Sequence, residues 1–202
     1  MSASETIASP AIPLYRQAQE WLLPALQPGA AYAVDATCGN GHDTLFLCNA
    51  LGSDQSVIGF DLQSEAIEST RERLRKHHFH PILLRENHSQ LEEALDRNSI
   101  GSIQAAIFNL GYLPGGDHSL TTQPPSTLLA IQAILSRATS HFRLSIVAYR
   151  GHPGGLEEAS QIRNFLRNLP SDRFTFVQKE GQNHETGPIF LGIGPHESNP
   201  TN

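Results

Sequence analysis

Seven short apolar runs, at residues 31–36, 57–60, 82–84, 105–108, 144–149, 174–177 and 189–193, constrain this chain more than any other feature. Each is too short for a helix and is bounded by turn residues, the pattern of a strand buried on both faces. Segments of helical period lie between the earlier runs, at 43–51, 64–77, 90–96, 126–140 and 156–169, and one more, 15–26, precedes the first. Repeated strand, helix, strand connections predict an α/β fold with a seven-stranded, mostly parallel sheet covered by helices on both faces. Only 1–10 and 196–202 read as loose tails, so 11–195 is expected to form one domain.

Composition narrows the classes of function. A net charge of -6 gives no global pull toward phosphate, so a nucleic-acid contact would need a local patch. The candidate is 71–80, Arg-Glu-Arg-Leu-Arg-Lys-His-His-Phe-His, although basic residues at a helix end also answer the helix dipole. Two copies of the chain joined as a homodimer could combine two modest patches. No stretch approaches the roughly 20 apolar residues that cross a bilayer. The first residues lack the charged and apolar regions of a secretory signal, and the expectation is a cytoplasmic protein without a membrane partner. Two cysteines, Cys38 and Cys48, make no disulfide framework.

In such a sheet, ligands bind beyond the C-terminal ends of the strands, where the strand order reverses. Asp35, Asp61, His88, Asn109 and Arg150 fall at or just past the ends of the first five runs. The first run leads into Asp35-Ala-Thr-Cys-Gly-Asn-Gly41 and then a helix, a turn whose glycines would let the backbone pass close to a ligand. A third glycine of the dinucleotide fingerprint is absent, since His42, Asp43 and Thr44 follow Gly41. An acid before the turn would repel a diphosphate and suits a positively charged ligand such as S-adenosylmethionine. Asp61, ending the second run, can accept hydrogen bonds from ribose hydroxyls. The alternative for Asp35 and Asp61 is that each caps a turn or helix. Cys38 has no base assigned by the sequence, and Cys38, His42 and Asp43 lack a second cluster with ligand spacing, so no metal is expected.

After the fourth run comes Asn109-Leu-Gly-Tyr112, followed by Leu113-Pro-Gly-Gly-Asp117. The Asn109 side-chain oxygen and the Leu110 carbonyl could accept an amine's hydrogens and aim its lone pair. Tyr112 could stack on a planar base or close the pocket as an apolar lid. Alkyl transfer from a sulfonium needs little beyond such alignment. Arg150 and His152, beside Gly151, could touch substrate or merely stabilise a turn. Asp117, His152 and solvent are all candidates for the proton acceptor.

Asp35 to Thr44, Asn109 to Asp117 and Gly151-His-Pro-Gly154, in this order, resemble a family of small class I methyltransferases labelled rRNA methylases, the MnmM/YtqB-like family. The similarity runs from about Ile12 to Ile193. It implies a Rossmann-like fold and S-adenosylmethionine, with N-methylation of the 5-aminomethyl group of (2-thio)uridine at the tRNA wobble position, so that a tRNA anticodon stem-loop is the expected partner. Carried onto this chain, the cofactor set is Asp35, Thr37, Cys38, Gly39, Asn40, Gly41, His42, Asp43, Asp61, Gln63, His88, Ser89 and Asn109. The substrate set is Tyr112, Leu113, Pro114, Gly115, Gly116, Arg150, Gly151 and His152, with Asn109, Tyr112 and His152 as the catalytic candidates. Thr37 stands where the common loop has glycine, and Arg150 and 183–188 vary from the pattern. The other readings are an rRNA methyltransferase, a small-molecule N- or O-methyltransferase on the same fold, and a module that binds the cofactor without the chemistry.

Overall fold

A computed structural model describes residues 12–29, 31–113, 115, 121–181, 183 and 185–196. All seven apolar runs are strands: β1 (Tyr32–Asp35), β2 (Val57–Asp61), β3 (Ile82–Arg85), β4 (Ile103–Leu110), β5 (Ala138–Ala148), β6 (Phe174–Glu180) and β7 (Ile189–Pro195). Among the described residues six α-helices accompany them: α1 (Leu14–Leu22), α2 (His42–Leu51), α3 (Ser64–Arg75), α4 (Leu91–Arg97), α5 (Pro124–Ser136) and α6 (Gly155–Arg167). The strand order is β3-β2-β1-β4-β5-β7-β6, parallel through β5. No helix separates β6 from β7 among the described residues, so the pair forms a hairpin and β7 lies antiparallel between β5 and β6.

The two-residue period of the strands explains the layers. Ala33, Ala105 and Ile107 face a core shared with Leu47 and Leu51 of α2 and Leu74 of α3. Their neighbours Val34, Ala106 and Phe108 face the opposite core, shared with α4, α5 and α6. On the first face, α1 covers β5 and β7. Its Trp21 indole donates to the Leu144 carbonyl at 3.0 Å and lies against Gly192 and Gly194, with the Arg143 guanidinium 4.3 Å from the ring centre. Trp21 thus fixes where the first turn of α1 projects.

The helix expected over 126–140 ends earlier, at Ser136, and β5 starts at Ala138. The Arg137 carbonyl accepts the Ile103 amide at 2.8 Å, which starts β5 beside β4. The Arg137 guanidinium bonds the Ile100 carbonyl and Asp96. Residues 138–143 are polar except Ala138 and Phe142, so they show no apolar run although they are strand.

Successive strands step from β1 to β3 on one side, then return across β1 to β4. The loops leaving β1 and β4 therefore diverge, opening a crevice between Asp35 and Asn109. Of the expected loose tails, 1–10 and 197–202 lie outside the described residues, while the His196 amide bonds the Arg173 carbonyl at 3.0 Å.

Candidate functional site

The loop between β1 and α2 satisfies its own backbone. The Thr37 amide donates to Asp35 Oδ1 at 3.1 Å and the Gly39 amide to Asp61 Oδ2 at 2.9 Å. The Cys38 amide donates to the Phe60 carbonyl and the Gly41 amide to the Cys38 carbonyl, both at 2.8 Å. Four amides that could have cradled a phosphate are consumed within the protein. The glycine at 41 answers a neighbouring helix: a Cβ there would stand 2.8 Å from Thr70 Cα of α3, at a φ of +77°. Thr70 Oγ1 in turn donates to the Gly39 carbonyl at 3.1 Å.

Three carboxylates converge on this loop, each bonded to neutral donors. Asp35 is fully buried and accepts from Thr37 N and from Thr44 Oγ1 at 2.6 Å. Burial, with the nearby charges of Asp43 and Asp61, raises its pKa to about 7. Asp43 accepts from Gln19 Nε2 at 2.6 Å and from Asn109 Nδ2, and burial raises its pKa too. Asp61 accepts the Gly39 and Gln63 amides at 2.9 Å each, and its pKa is also raised by burial. Among the described residues no Lys or Arg forms an ion pair with these carboxylates, and such an acidic region favours a cationic ligand and disfavours a phosphate.

Asn109 sits across the crevice from this loop. Its amide donates to Thr37 Oγ1 at 2.7 Å, which gives the residue standing in place of glycine a task. With its Nδ2 donating to Asp43, the side chain keeps Oδ1 as its acceptor. The Leu110 carbonyl already accepts the Tyr149 amide at 2.9 Å, so one of its two lone pairs is committed to holding the turn.

Around Asn109 the crevice divides into two lobes. The smaller, about 340 Å³, is lined by Asp61, Gln63, Asn87, His88, Leu113 and Thr122 among others. The larger, about 1290 Å³, runs from Asp43 and His42 past Tyr149, Arg150, Gly151 and His152 to α1 and α2. Thr37, Gly39, Asn109, Gly111 and Tyr112 border both lobes and form the waist. Volumes of about 300 to 1,000 Å³ hold drug-sized ligands, so the smaller lobe suits a nucleoside and the larger leaves room for a second reactant.

The residues expected from sequence are therefore brought together unevenly. Thr37, Cys38, Gly39, Asn40, His42, Asp43, Asp61, Gln63, His88 and Asn109 line one lobe or both. Asp35, Gly41 and Ser89 line neither: Asp35 braces the loop, Gly41 packs under Thr70, and the Ser89 amide donates to Asn87 Oδ1. The Cys38 sulfur packs where a Cβ on Gly59 of β2 would be 2.5 Å away. Burial and Asp35 push its thiol well above the ordinary cysteine value, so it stays protonated. His88 is buried against Phe108, which lowers its pKa to about 4 and keeps the ring neutral. Among the described residues no three His, Cys, Asp or Glu side chains group as metal ligands.

On the substrate side, Tyr112 stands edge-on to His152 with ring centres 6.0 Å apart. His152 Nδ1 lies 3.1 Å from the Pro153 carbonyl, and Nε2 is buried without a hydrogen-bond partner among the described residues. A buried Nε2 is poorly placed to take a proton from the cleft. The Arg150 guanidinium bonds the Gly187 carbonyl at 2.6 Å and Glu180 at 2.8 Å, tying the loop after β5 to the β6–β7 hairpin. Gly115 borders neither lobe, and Pro114, Gly116 and Asp117 lie outside the described residues. In the 71–80 segment, Arg71 pairs with Glu68, while Arg73 donates to the Asn40 carbonyl at 2.6 Å and lies 3.1 Å from His42. Arg73 therefore belongs to the support of the glycine loop.

Tyr15 and Gln19 of α1, and Tyr149 just after β5, line the larger lobe although they were not among the residues expected. Tyr15, Tyr112 and Tyr149 are 44%, 41% and 44% exposed at the lip of the same crevice, so three of the chain's four tyrosines border it. Gly111 makes room for Tyr149, whose Cβ would stand 3.4 Å from a Cβ added there. Burial and the neighbouring Asp43 and Tyr15 raise the Tyr149 pKa, so its hydroxyl stays neutral. Helical periodicity places Gln19 on α1 but says nothing of which strand ends α1 overhangs. Position after a strand was a usable signal for Tyr149.

The residues present fit S-adenosylmethionine. Asp61 in the nucleoside-sized lobe has lone pairs for ribose hydroxyls, and Asn109 stands at the waist with its partner Asp43 beside it in the larger lobe, where anionic surroundings match a cationic group. The family model described as "Putative rRNA methylase" matches residues 57–193. A chloroplastic tRNA (mnm(5)s(2)U34)-methyltransferase of Arabidopsis thaliana is 33% identical over 175 residues, which are 82% of this chain and 63% of the plant protein. The match thus spans less than two thirds of that relative's length. Among solved structures, an rRNA-methylase from Clostridium thermocellum, described as putative, superposes with a TM-score of 0.82 at 29% identity, covering 93% of this chain and 100% of that one. A methyltransferase from Streptococcus mutans, also described as putative and solved in complex with SAH, gives 0.79 at 33% identity, covering 92% and 99%. With that sheet order, crevice and similarity along most of its length, the chain belongs to the rRNA methylase family of class I, S-adenosylmethionine-dependent methyltransferases.

Proposed function

We propose that this protein is an S-adenosylmethionine-dependent methyltransferase that N-methylates the 5-aminomethyl group of a (2-thio)uridine at the wobble position of tRNA. The observation that carries this reading is the fixing of Asn109 by Thr37 and Asp43, which leaves its Oδ1 as an acceptor at the waist between the two lobes. An acceptor there suits a neutral amine, whose N–H it can hold while the lone pair points elsewhere. Asp61, Gln63 and His88 would hold the adenosyl part in the smaller lobe, with Asp43 near the amino acid part. When bound, S-adenosylmethionine supplies a methyl group on a sulfonium, already activated for transfer to nitrogen.

The chain's own residues contribute position and exclusion of water. Tyr112 and Tyr149 flank Gly111 and offer faces to a planar base, a contact worth roughly 1–3 kcal/mol per base. His152 is assigned to packing against Tyr112, and Arg150 to holding its loop. The printed name of the plant relative, a methyltransferase of mnm(5)s(2)U34 in tRNA, supports the choice of acceptor amine.

The test is incubation of the purified protein with methyl-labelled S-adenosylmethionine and a tRNA pool, followed by nucleoside mass spectrometry. Label is expected in 5-methylaminomethyl(-2-thio)uridine. The same incubation run on ribosomal RNA and on a metabolite pool completes the test, and label confined to either would replace the reading.

A further inference from the structure

Glu158 of α6 is 1% exposed, yet it reaches the walls of both lobes through two threonines. Its Oε2 accepts the Thr122 hydroxyl at 2.6 Å and its Oε1 the Thr127 hydroxyl at 2.9 Å. Thr122 Oγ1 accepts the Gly111 amide at 3.0 Å, and the Thr122 amide donates to the Gly111 carbonyl at 3.0 Å. Gly111 N and the Leu110 carbonyl belong to one planar peptide, and that carbonyl accepts the Tyr149 amide on its opposite side. The peptide after Asn109-Leu110 is therefore clamped at both ends. On the other branch, Thr127 Oγ1 lies 3.4 Å from His88 Nε2, in the wall of the smaller lobe.

The direction of the bonds gives the carboxylate its task. Gly111 N–H donates to Thr122, and Thr122 O–H donates to Glu158, a chain in which each bond polarises the next. The Thr122 hydroxyl donates to Glu158, and the Thr127 hydroxyl has both Glu158 Oε1 at 2.9 Å and the Gln123 carbonyl at 3.1 Å as acceptors, so the carboxylate serves as the acceptor on each branch. Burial raises the Glu158 pKa, while the Thr122 and Thr127 hydroxyls act against that rise and its place in the first turn of α6 favours a negative charge.

We propose that Glu158 is a positioning residue for methyl transfer: through Thr122 it fixes the Leu110–Gly111 peptide beside Asn109, and through Thr127 it steadies the His88 wall. The proposal rests on the assignment of Asn109 as the residue that aligns the acceptor, and it needs no contact between Glu158 and substrate.

The test compares Thr122→Val, Thr122→Ser, Glu158→Ala and Glu158→Gln with the parent, using the full chain. Amide exchange at Gly111, read by NMR without substrate, should accelerate about 10- to 100-fold in Thr122→Val and Glu158→Ala, because a charge-assisted chain has been cut. Thr122→Ser, which keeps the hydroxyl, should restore protection. On tRNA, kcat should fall about 10-fold or more in the two disruptive variants while KM for tRNA stays within about 3-fold, with recovery in Thr122→Ser and part recovery in Glu158→Gln, and S-adenosylmethionine affinity should fall further in Glu158→Ala, which also loses the His88 branch, than in Thr122→Val. Unchanged Gly111 exchange would overturn the proposal, as would kcat lost only in proportion to folded protein. Should the parent methylate no tRNA, the proposed substrate falls, and Gly111 exchange still decides whether Glu158 holds the turn.

Discussion

Replacing Gly41 with alanine separates two reasons for a glycine in the β1–α2 loop. A glycine kept for ligand approach would leave the ligand-free protein little affected beyond its backbone strain. The structure supplies another reason, since the added Cβ would stand 2.8 Å from Thr70 Cα and 3.0 Å from its Oγ1. The nearer atom is helix backbone, which cannot swing aside. At φ +77° an alanine also takes a left-handed conformation that costs roughly 1–2 kcal/mol. Forcing extra volume into a packed contact costs about 1–3 kcal/mol more, for a sum of roughly 2–5 kcal/mol. Gly52 is the internal control: its φ is +62°, and a Cβ there meets nothing within 4 Å, so Gly52→Ala carries the strain alone. Urea denaturation of both variants and the parent, without cofactor, should place Gly41→Ala about 1–3 kcal/mol below Gly52→Ala. For a chain of this size that difference lowers Tm by a further 2–12 °C or so. Equal destabilisation in the two variants would refute the claim that α3 dictates this glycine.

Asn109→Ala should lower kcat about 100-fold or more while cofactor affinity, read by calorimetry, changes far less, because the acceptor for the amine is gone; equal activity would remove Asn109 from the mechanism. Arg73→Glu should weaken S-adenosylmethionine binding by about 10-fold through loss of its bond to the Asn40 carbonyl, and unchanged affinity would return Arg73 to the pool of RNA-binding candidates. Asp35 holds its proton to about pH 7 in the folded chain, against an ordinary aspartate value of 3.8. Its contribution to stability is therefore complete below the lower value and lost as pH rises through the upper one. His88, lowered to about 4 from 6.5, acts oppositely and loses its contribution as pH falls through about 4. Between pH 6.5 and 8 the Tm of the ligand-free protein should thus fall with a slope that flattens in Asp35→Asn, whereas parallel slopes would contradict the assignment. Cys38 and Cys48, both buried, with Cys48 pushed up to about 12, should resist iodoacetamide until the protein is unfolded; modification of the native chain counted by intact mass would contradict this.

The strand ends carry most of the functional information that sequence order can hold. Asp61, His88 and Asn109 are legible there because a parallel α/β sheet places the ends of its strands at one rim, whichever side chains fill the interior. What those residues bond to is another matter. Asp35, which its place after a strand marks as a ligand contact, turns inward to Thr37 and Thr44, and Arg150 turns to Glu180 and Gly187.

By itself the sequence determined the alternation of strand and helix, the loop after β1 and the turn after β4, because period and turn chemistry act between near neighbours. Tertiary structure alone decided that Tyr15 and Gln19 overhang the crevice, placed there by Trp21 lying on β7, and that Gly41 yields to Thr70. It also decided that Glu158, 47 positions beyond Gly111, closes on the same turn through Thr122. Such contacts join residues far apart in the chain, and their partners are set by how helices settle on the sheet, which no local pattern records.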